Sequence, residues 1–237
     1  YQFKRVLVNT IVLSLYTLIV SFPFPVLFAL MINSVRNERF KKVTQTIVNM
    51  PHFISVVVMV GIMFSIFNSA TGLYGSVYRS LTGSNMAPDL FGSAASFRHF
   101  YVWSAVWQHF GWDSIIYTAA LSSVDPSYHE AAQIDGASKM AQMRYVVLPS
   151  ILSTIVIMLI TRIGALLNIG YEKVLLLYNT NTYVTADVVS TFANRYGLMG
   201  TQKGLAAAAE MMNNVIGMLL VISANTIARK ASDTSLY

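Results

Sequence analysis

Residues 6–35, VLVNTIVLSLYTLIVSFPFPVLFALMINSV, run for 30 positions without a charged side chain. A bilayer's hydrocarbon core is about 30 Å thick and takes about 20 apolar helical residues to cross. The stretch exceeds that length. It is also far longer than the apolar region of a cleavable signal peptide, roughly 7–15 residues, so it reads as a membrane span. Backbone polar groups in lipid must be bonded within their own segment, and a barrel strand would be much shorter, so the span is a helix. Pro23 and Pro25 each remove an amide donor from it, which predicts a kink.

The same pattern recurs along the chain. Four further stretches have the length and apolarity of spans: residues 43–67, 99–123, 149–168 and 204–228, beside a first span at 6–33. Composition agrees, with 55% of the 237 residues apolar and 11% charged, against about 25% charged in soluble domains. The expected fold class is therefore an all-α, polytopic membrane helical bundle, a single transmembrane domain over residues 1–237. A net charge of +6 would suit nucleic acid in a soluble protein, but the basic residues are dispersed and form no such surface. With no cysteine, the chain has no disulfide, no thiolate nucleophile and no Cys-based metal site.

Five spans put the two ends on opposite sides. The links are residues 34–42, 68–98, 124–148 and 169–203. The first and third links, with the C-terminal tail, carry Arg36, Arg39, Lys41, Lys42, Lys139, Arg144, Arg229 and Lys230; the opposite side carries Lys4, Arg5, Arg79, Arg98, Lys173, Arg195 and Lys203. Eight against seven is nearly even, but the eight lie in the shorter loops, which are the ones that set orientation. This places the C-terminus in the cytoplasm. An odd count with an external start, and a first residue that is Tyr1 rather than methionine, predict one more helix before the sequence.

The third link differs from an ordinary turn. Asp125-Pro126 is a strong helix start, with Asp as N-cap and Pro at the first helical position. Ser127-Tyr128-His129-Glu130-Ala131-Ala132-Gln133-Ile134-Asp135-Gly136-Ala137-Ser138 follows, then a second polar helical stretch to Arg144, with Gly136 as the break between two short helices. The small side chains Ala131, Ala132, Gly136 and Ala137 let another protein's surface approach the backbone closely. A helix anchored at lipid headgroups is the alternative, but Tyr128, Ala131, Ala132 and Ile134 make a weak apolar face for insertion.

Glu130-Ala131-Ala132, then Asp135-Gly136-Ala137, then Leu148-Pro149, set between two spans, resembles the EAA loop of permease subunits of binding-protein-dependent ABC importers. The three-residue string is weak by itself; the combination at this spacing is specific. The resemblance runs from Asn9-Thr10 through Trp107 and Gly111 to the tail and is closest to carbohydrate permeases of the maltose-type superfamily. Within them, Gly170-Tyr171-Glu172-Lys173-Val174-Leu175-Leu176-Leu177-Tyr178-Asn179, Asp187-Val188-Val189-Ser190-Thr191 and Ala224-Asn225 are similar to the branch importing complex oligo- and polysaccharides such as alginate and pectin fragments. The resemblance implies the type I ABC importer permease fold. It also implies a coupling role for residues 124–148, with Glu130, Ala131, Ala132, Asp135, Gly136 and Ala137 seated in a cleft of an ATPase subunit. The implied partners are a homologous second permease, two ATP-binding cassette subunits carrying ATP and Mg, an extracytoplasmic solute-binding protein, a saccharide and membrane lipid. The implied location is the cytoplasmic membrane of a bacterium. Two departures stand out: the usual first helix is missing, and the chain closes on Ser235-Leu236-Tyr237 instead of a Gly-Leu-Trp-like ending.

Three spans carry one ionisable residue each, Asp113, Arg162 and Glu210. Each costs about 2.5–3.5 kcal/mol on insertion scales, so such residues face an interior or an aqueous path. At about 1.5 Å per residue, Arg162 lies about 20 Å beyond Pro149 and Glu210 about 9 Å beyond Gly204. Similar depths predict an Arg162–Glu210 pair; an unpaired Arg162 would instead suit a uronate carboxylate. Asp113 either caps a local helix break or lines the path. Tyr171 is a stacking surface for sugar or an interfacial anchor. Asn168, Asn213 and Asn214, amides at membrane depth, line a cavity or bond between helices.

No G-x-x-x-x-G-K-[ST] phosphate loop is present, so the chain does not bind ATP by that route. His52, His99, His109 and His129 have no metal-ligand partner at i+4, and no nucleophile has a matched base. The reading is a transport subunit, with no cofactor of its own and energy from partner chains. The alternative from another class is an ion-coupled secondary transporter or channel, which would use the membrane charges and need no docking loop.

Overall fold

The computed structural model describes residues 2–232. The helix expected before Tyr1 and the closing Ser235-Leu236-Tyr237 lie outside the described residues. Within them the chain is helical throughout, with no strand. In chain order the helices are α1 (Gln2–Ser21), α2 (Pro23–Asn33), α3 (Glu38–Asn49), α4 (Val56–Phe67), α5 (Leu73–Thr82), α6 (Ala94–Ser122), α7 (Pro126–Ile134), α8 (Lys139–Gln142), α9 (Leu148–Ser150), α10 (Leu152–Gly164), α11 (Tyr171–Leu177), α12 (Tyr183–Ala186), α13 (Val189–Ala193) and α14 (Lys203–Ser232).

Among the described residues, two stretches are long and apolar enough to cross a membrane, Gln2–Asn33 and Lys203–Arg229, and up to four if each of two bent helix pairs counts as one span. The first stretch breaks at Phe22, where Pro25 cannot donate to the Ser21 carbonyl; Phe22 N–H still reaches Leu18 O at 3.0 Å, and Gln2–Asn33 still counts as one span. The expected second span, 43–67, is not one helix. A 3₁₀ turn at Met50–Phe53 contains Pro51, and Ser55 then starts α4 afresh, its Oγ accepting from Val58 N–H at 3.3 Å. The fourth is bent by 59° between Lys139–Ser150 and Leu152–Gly164. A π turn at Met143–Val147 precedes Pro149 there, and the regular ladder restarts after Ile151. The third is α6, whose 29 residues span about 43 Å at 1.5 Å each. It has the length to cross but is diluted by Arg98, Gln108, His109 and Asp113.

The chain divides into two units. One comprises the chain up to Thr17, Ile54–Ser104 and Leu166–Ile216. Its core joins Val6, Val189, Phe192 and Ala209, and the Phe3 and Phe192 rings meet edge-on at 5.7 Å. Polar clasps fix it as well: buried Asn9 donates from Nδ2 to Val184 O at 2.9 Å and Asp187 O at 3.1 Å, and Thr10 Oγ1 accepts from Val189 N–H at 2.9 Å. They tie α1 to the backbone of the 184–189 segment, where the buried Asp187 carbonyl and Val189 amide would otherwise lack these side-chain partners.

The other unit comprises Leu18–Phe53, Ala105–Ala165 and the chain from Gly217. Val26, Ala29, Leu30, Tyr117, Leu121, Val147 and Ile151 form its core. Between helices in lipid, close packing replaces the hydrophobic drive, and Gly111 shows the principle. A Cβ there would overlap the Val48 carbonyl, so only glycine lets α3 approach α6 this closely.

Candidate functional site

The 124–148 link folds as two short helices about a glycine turn. Asp125 caps α7, its Oδ1 accepting from Ser127 N–H at 2.9 Å. That backbone bond, and one from the Ser127 side chain, hold the Asp125 carboxyl below its ordinary value. α7 ends at Asp135, and Gly136 takes φ +73°, a left-handed conformation that costs a side-chain-bearing residue about 1–2 kcal/mol. Ala137 N–H returns to Ala132 O at 2.9 Å, and Ser138 caps α8 through Ala141 N–H at 3.3 Å. Glu130, Ala131, Asp135 and Gly136 are exposed, with Ala132 and Ala137 half-buried. Around them Ile134 is 87% exposed, and Tyr128, Met140 and Tyr145 are also open. Every member of the expected coupling set thus lies on one continuous turn, beside apolar side chains with nothing over them in this chain.

Among the intramembrane charges the structure corrects the expected pairing. Arg162 Nη2 pairs with Asp113 Oδ2, not with Glu210. The reason is the bend at Ile151. Counting the rise from Pro149 assumed an unbroken helix, whereas α10 begins at Leu152 after a change of direction. The pair lines a small cavity with Ser21, Phe22, Pro25 and Tyr117, beside the proline break of the first stretch. One turn along α6, His109 Nδ1 lies 3.1 Å from His52 Nδ1, and His52 stacks on Trp112 at 4.4 Å. The scattered histidine spacing gave no signal for that pair.

Glu210 instead lines a groove of about 530 Å³ in the first unit, together with Tyr171, Ser190, Asn194 and Lys203 and the small residues Ala193, Gly197, Ala206 and Ala207. Two expected path residues, Tyr171 and Glu210, therefore share one cavity. Asn213 is 4% exposed; its Nδ2 donates to Leu167 O at 3.1 Å and its Oδ1 is buried without a partner, so it bonds between segments. Asn214 on α14 is exposed, as is Asn168, which lies beyond the end of α10 and not within a span.

Sequence reading missed Asp187 and Lys173. Asp187, 1% exposed, accepts from Arg195 Nη2 at 2.7 Å and from Thr191 Oγ1 at 2.9 Å. Its burial was not visible in a polar loop, although it is one of only three carboxylates in the external links. Lys173, 7% exposed on α11, donates from Nζ to Tyr101 O at 2.8 Å and sits 4.7 Å from the centre of the Tyr101 ring. Burial lowers its pKa from 10.5 to about 7.

Below pH 7 this lysine is charged whether the chain is folded or not, and the folded state bears the full cost of burying it. As pH rises from about 7 towards 10.5 the folded state sheds the proton first, and stability rises. Lys173→Met is accordingly expected to raise the thermal unfolding midpoint in detergent at pH 6, with the gain shrinking by pH 10. A gain independent of pH would refute the buried charge.

A family model described as "Binding-protein-dependent transport system inner membrane component" matches residues 21–228. The chain is 36% identical over 236 residues to protein LplB of Bacillus subtilis (strain 168), covering 100% of this chain and 74% of that protein. It is 36% identical over 235 residues to the polygalacturonan/rhamnogalacturonan transport system permease protein YteP of the same organism, covering 99% and 73%. Among solved structures it superposes, with a TM-score of 0.93 and 38% identity, on a chain of a bacterial ABC transporter involved in the import of the acidic polysaccharide alginate, covering 98% of this chain and 80% of that one. A chain of the bacterial alginate ABC transporter in complex with alginate pentasaccharide-bound periplasmic protein matches with a TM-score of 0.94 and 38% identity, covering 100% and 81%.

Proposed function

The chain belongs to the family of binding-protein-dependent transport system inner membrane components, and from that premise, which makes it a permease subunit of an ABC importer, we propose that its cargo is an oligo- or polysaccharide bearing uronate carboxylates. The observation that carries the substrate class is identity of 36–38% over nearly the whole chain to a polygalacturonan/rhamnogalacturonan transport system permease and to a chain of a transporter involved in the import of an acidic polysaccharide. Family membership gives no support to the ion-coupled alternative.

The permease works with a second homologous permease, two ATPase subunits that hold ATP and Mg, and an external solute-binding protein, in the cytoplasmic membrane of a bacterium with its C-terminus inside. The exposed Glu130–Ala137 turn supports that side assignment, since a docking surface for an ATPase must face the cytoplasm. ATP-driven closure of the ATPases pulls this turn and opens the helices alternately to either side. Asp113, Arg162, Asn168, Tyr171, Glu210, Asn213 and Asn214 contribute to the substrate path or to the packing that frames it.

Affinity purification from membranes tests the assembly: an ATP-binding cassette protein and a second permease should co-purify. ATP hydrolysis should rise when the solute-binding protein is supplied with oligouronates, and less with neutral oligosaccharides of the same length. Absence of an ATPase subunit would sink the importer reading; equal stimulation by all saccharides would sink the acidic one.

A further inference from the structure

The outward segments hold more positive charge than membrane topology calls for. They carry seven basic side chains against three carboxylates, Asp89, Glu172 and Asp187, on the side where orientation rules disfavour cations. Part of that excess converges in the first unit. Asp187 is the one carboxylate in a cluster with three guanidiniums. Arg195 and Thr191 already occupy its two oxygens at 2.7 and 2.9 Å. Arg5 Nη2 reaches Asp187 Oδ2 only at 4.0 Å, a charge contact and not a hydrogen bond. Arg98 Nη2 donates to Asn9 Oδ1 at 3.0 Å, a neutral amide that leaves its charge unbalanced, and Arg98 Nε is buried without a partner. Lys4, Arg5, Val8 and Asn9 line a cavity of about 290 Å³ here. Lys4 and Arg5 are exposed at its edge, while Asn9 is buried and committed to the 184–187 backbone.

We propose that the Lys4–Arg5 edge of this cavity is a carboxylate subsite that receives uronate groups of an acidic saccharide on the outer side of the membrane. The subsite rests on the acidic-saccharide reading and the sidedness given above. The physics follows from the distance between Arg5 and Asp187. At 4.0 Å the Arg5 guanidinium makes no hydrogen bond to that carboxylate, so its fork retains N–H donors to bind a second carboxylate bidentately, with Lys4 next to it as a point charge. A surplus of exposed positive charge also steers a polyanion towards the surface. A neutral sugar would gain from neither effect.

The test is direct binding of an oligouronate to the purified, complete importer in detergent, without the solute-binding protein. The same chain with its carboxyls reduced to alcohols is the control. Lys4→Gln with Arg5→Gln should raise the Kd for the oligouronate about fivefold to tenfold, as expected for two exposed charge contacts. Lys4→Arg, which keeps both charges and the Arg5 fork, should retain affinity, and added salt should weaken the wild type more than the Gln pair. The reduced chain should bind both proteins equally. An unchanged Kd for the oligouronate overturns the subsite while leaving the saccharide reading standing. Equal weakening of both chains also overturns it, because the cations then act on something other than carboxylate. A wild-type complex that binds the reduced chain but not the oligouronate overturns the acidic reading and the subsite with it.

Discussion

Glu130→Arg and Gly136→Pro should each abolish saccharide uptake by the reconstituted importer while leaving a folded, membrane-inserted permease. Glu130 is exposed on α7, and replacing it reverses a charge on the proposed docking surface with no packing to disturb. Gly136 acts through the backbone. Proline fixes φ near −65° and cannot take the +73° that turns the chain between α7 and α8, and it also removes the N–H that donates to Gln133 O at 3.0 Å. That costs about 3 kcal/mol or more locally, in a turn where a Cβ meets nothing within 4 Å, so the damage stays in the loop. Gly136→Ala separates the two causes. It keeps the N–H and has room for its methyl, so about 1–2 kcal/mol of left-handed strain should give partial uptake. The measurement is uptake into proteoliposomes beside ATP hydrolysis stimulated by loaded binding protein. Full uptake by both Glu130→Arg and Gly136→Pro would remove the coupling role from this turn.

The loop was legible because its signals are local. An Asp-Pro cap, a run of small side chains and a glycine stop lie within a dozen residues, and each makes its own short-range demand on the backbone. The first span was equally plain, since 30 uncharged residues leave a helix little alternative in lipid. The second and fourth spans were misread as continuous because hydropathy measures composition and not direction. Pro51-His52-Phe53 and Val147-Leu148-Pro149 are apolar enough to pass unnoticed, yet each withdraws an amide from the ladder. Asp187 was illegible for a different reason. Its partners are Arg5, Asn9 and Arg195, with Arg98 one bond further on, and no local pattern in the sequence announces that these meet. Lys173 hid in the same way, beside a carbonyl 72 positions away.

Asp113 and Arg162 should behave as one unit, and a double-mutant cycle tests it. Asp113→Asn leaves a guanidinium without its counter-charge in a small cavity, and Arg162→Gln leaves the carboxylate likewise. Breaking a buried pair from one side costs about 3–5 kcal/mol. The side chains here are 23% and 44% exposed, so about 2 kcal/mol is the reasonable size for either single change. The double variant carries no charge and should recover most of that loss, giving a coupling of about 1–3 kcal/mol in a cycle of thermal or denaturant unfolding. Glu210→Gln should not couple to Arg162→Gln at all, because Glu210 lines a different cavity. Additive losses for Asp113 and Arg162, or coupling of Arg162 to Glu210, would refute the pairing. Transport by the double variant then separates packing from path. If it folds and transports, the pair only neutralises itself. If it folds and uptake falls by tenfold or more, the two charges act on the cargo or on the helix movements that admit it, since stability no longer accounts for the loss.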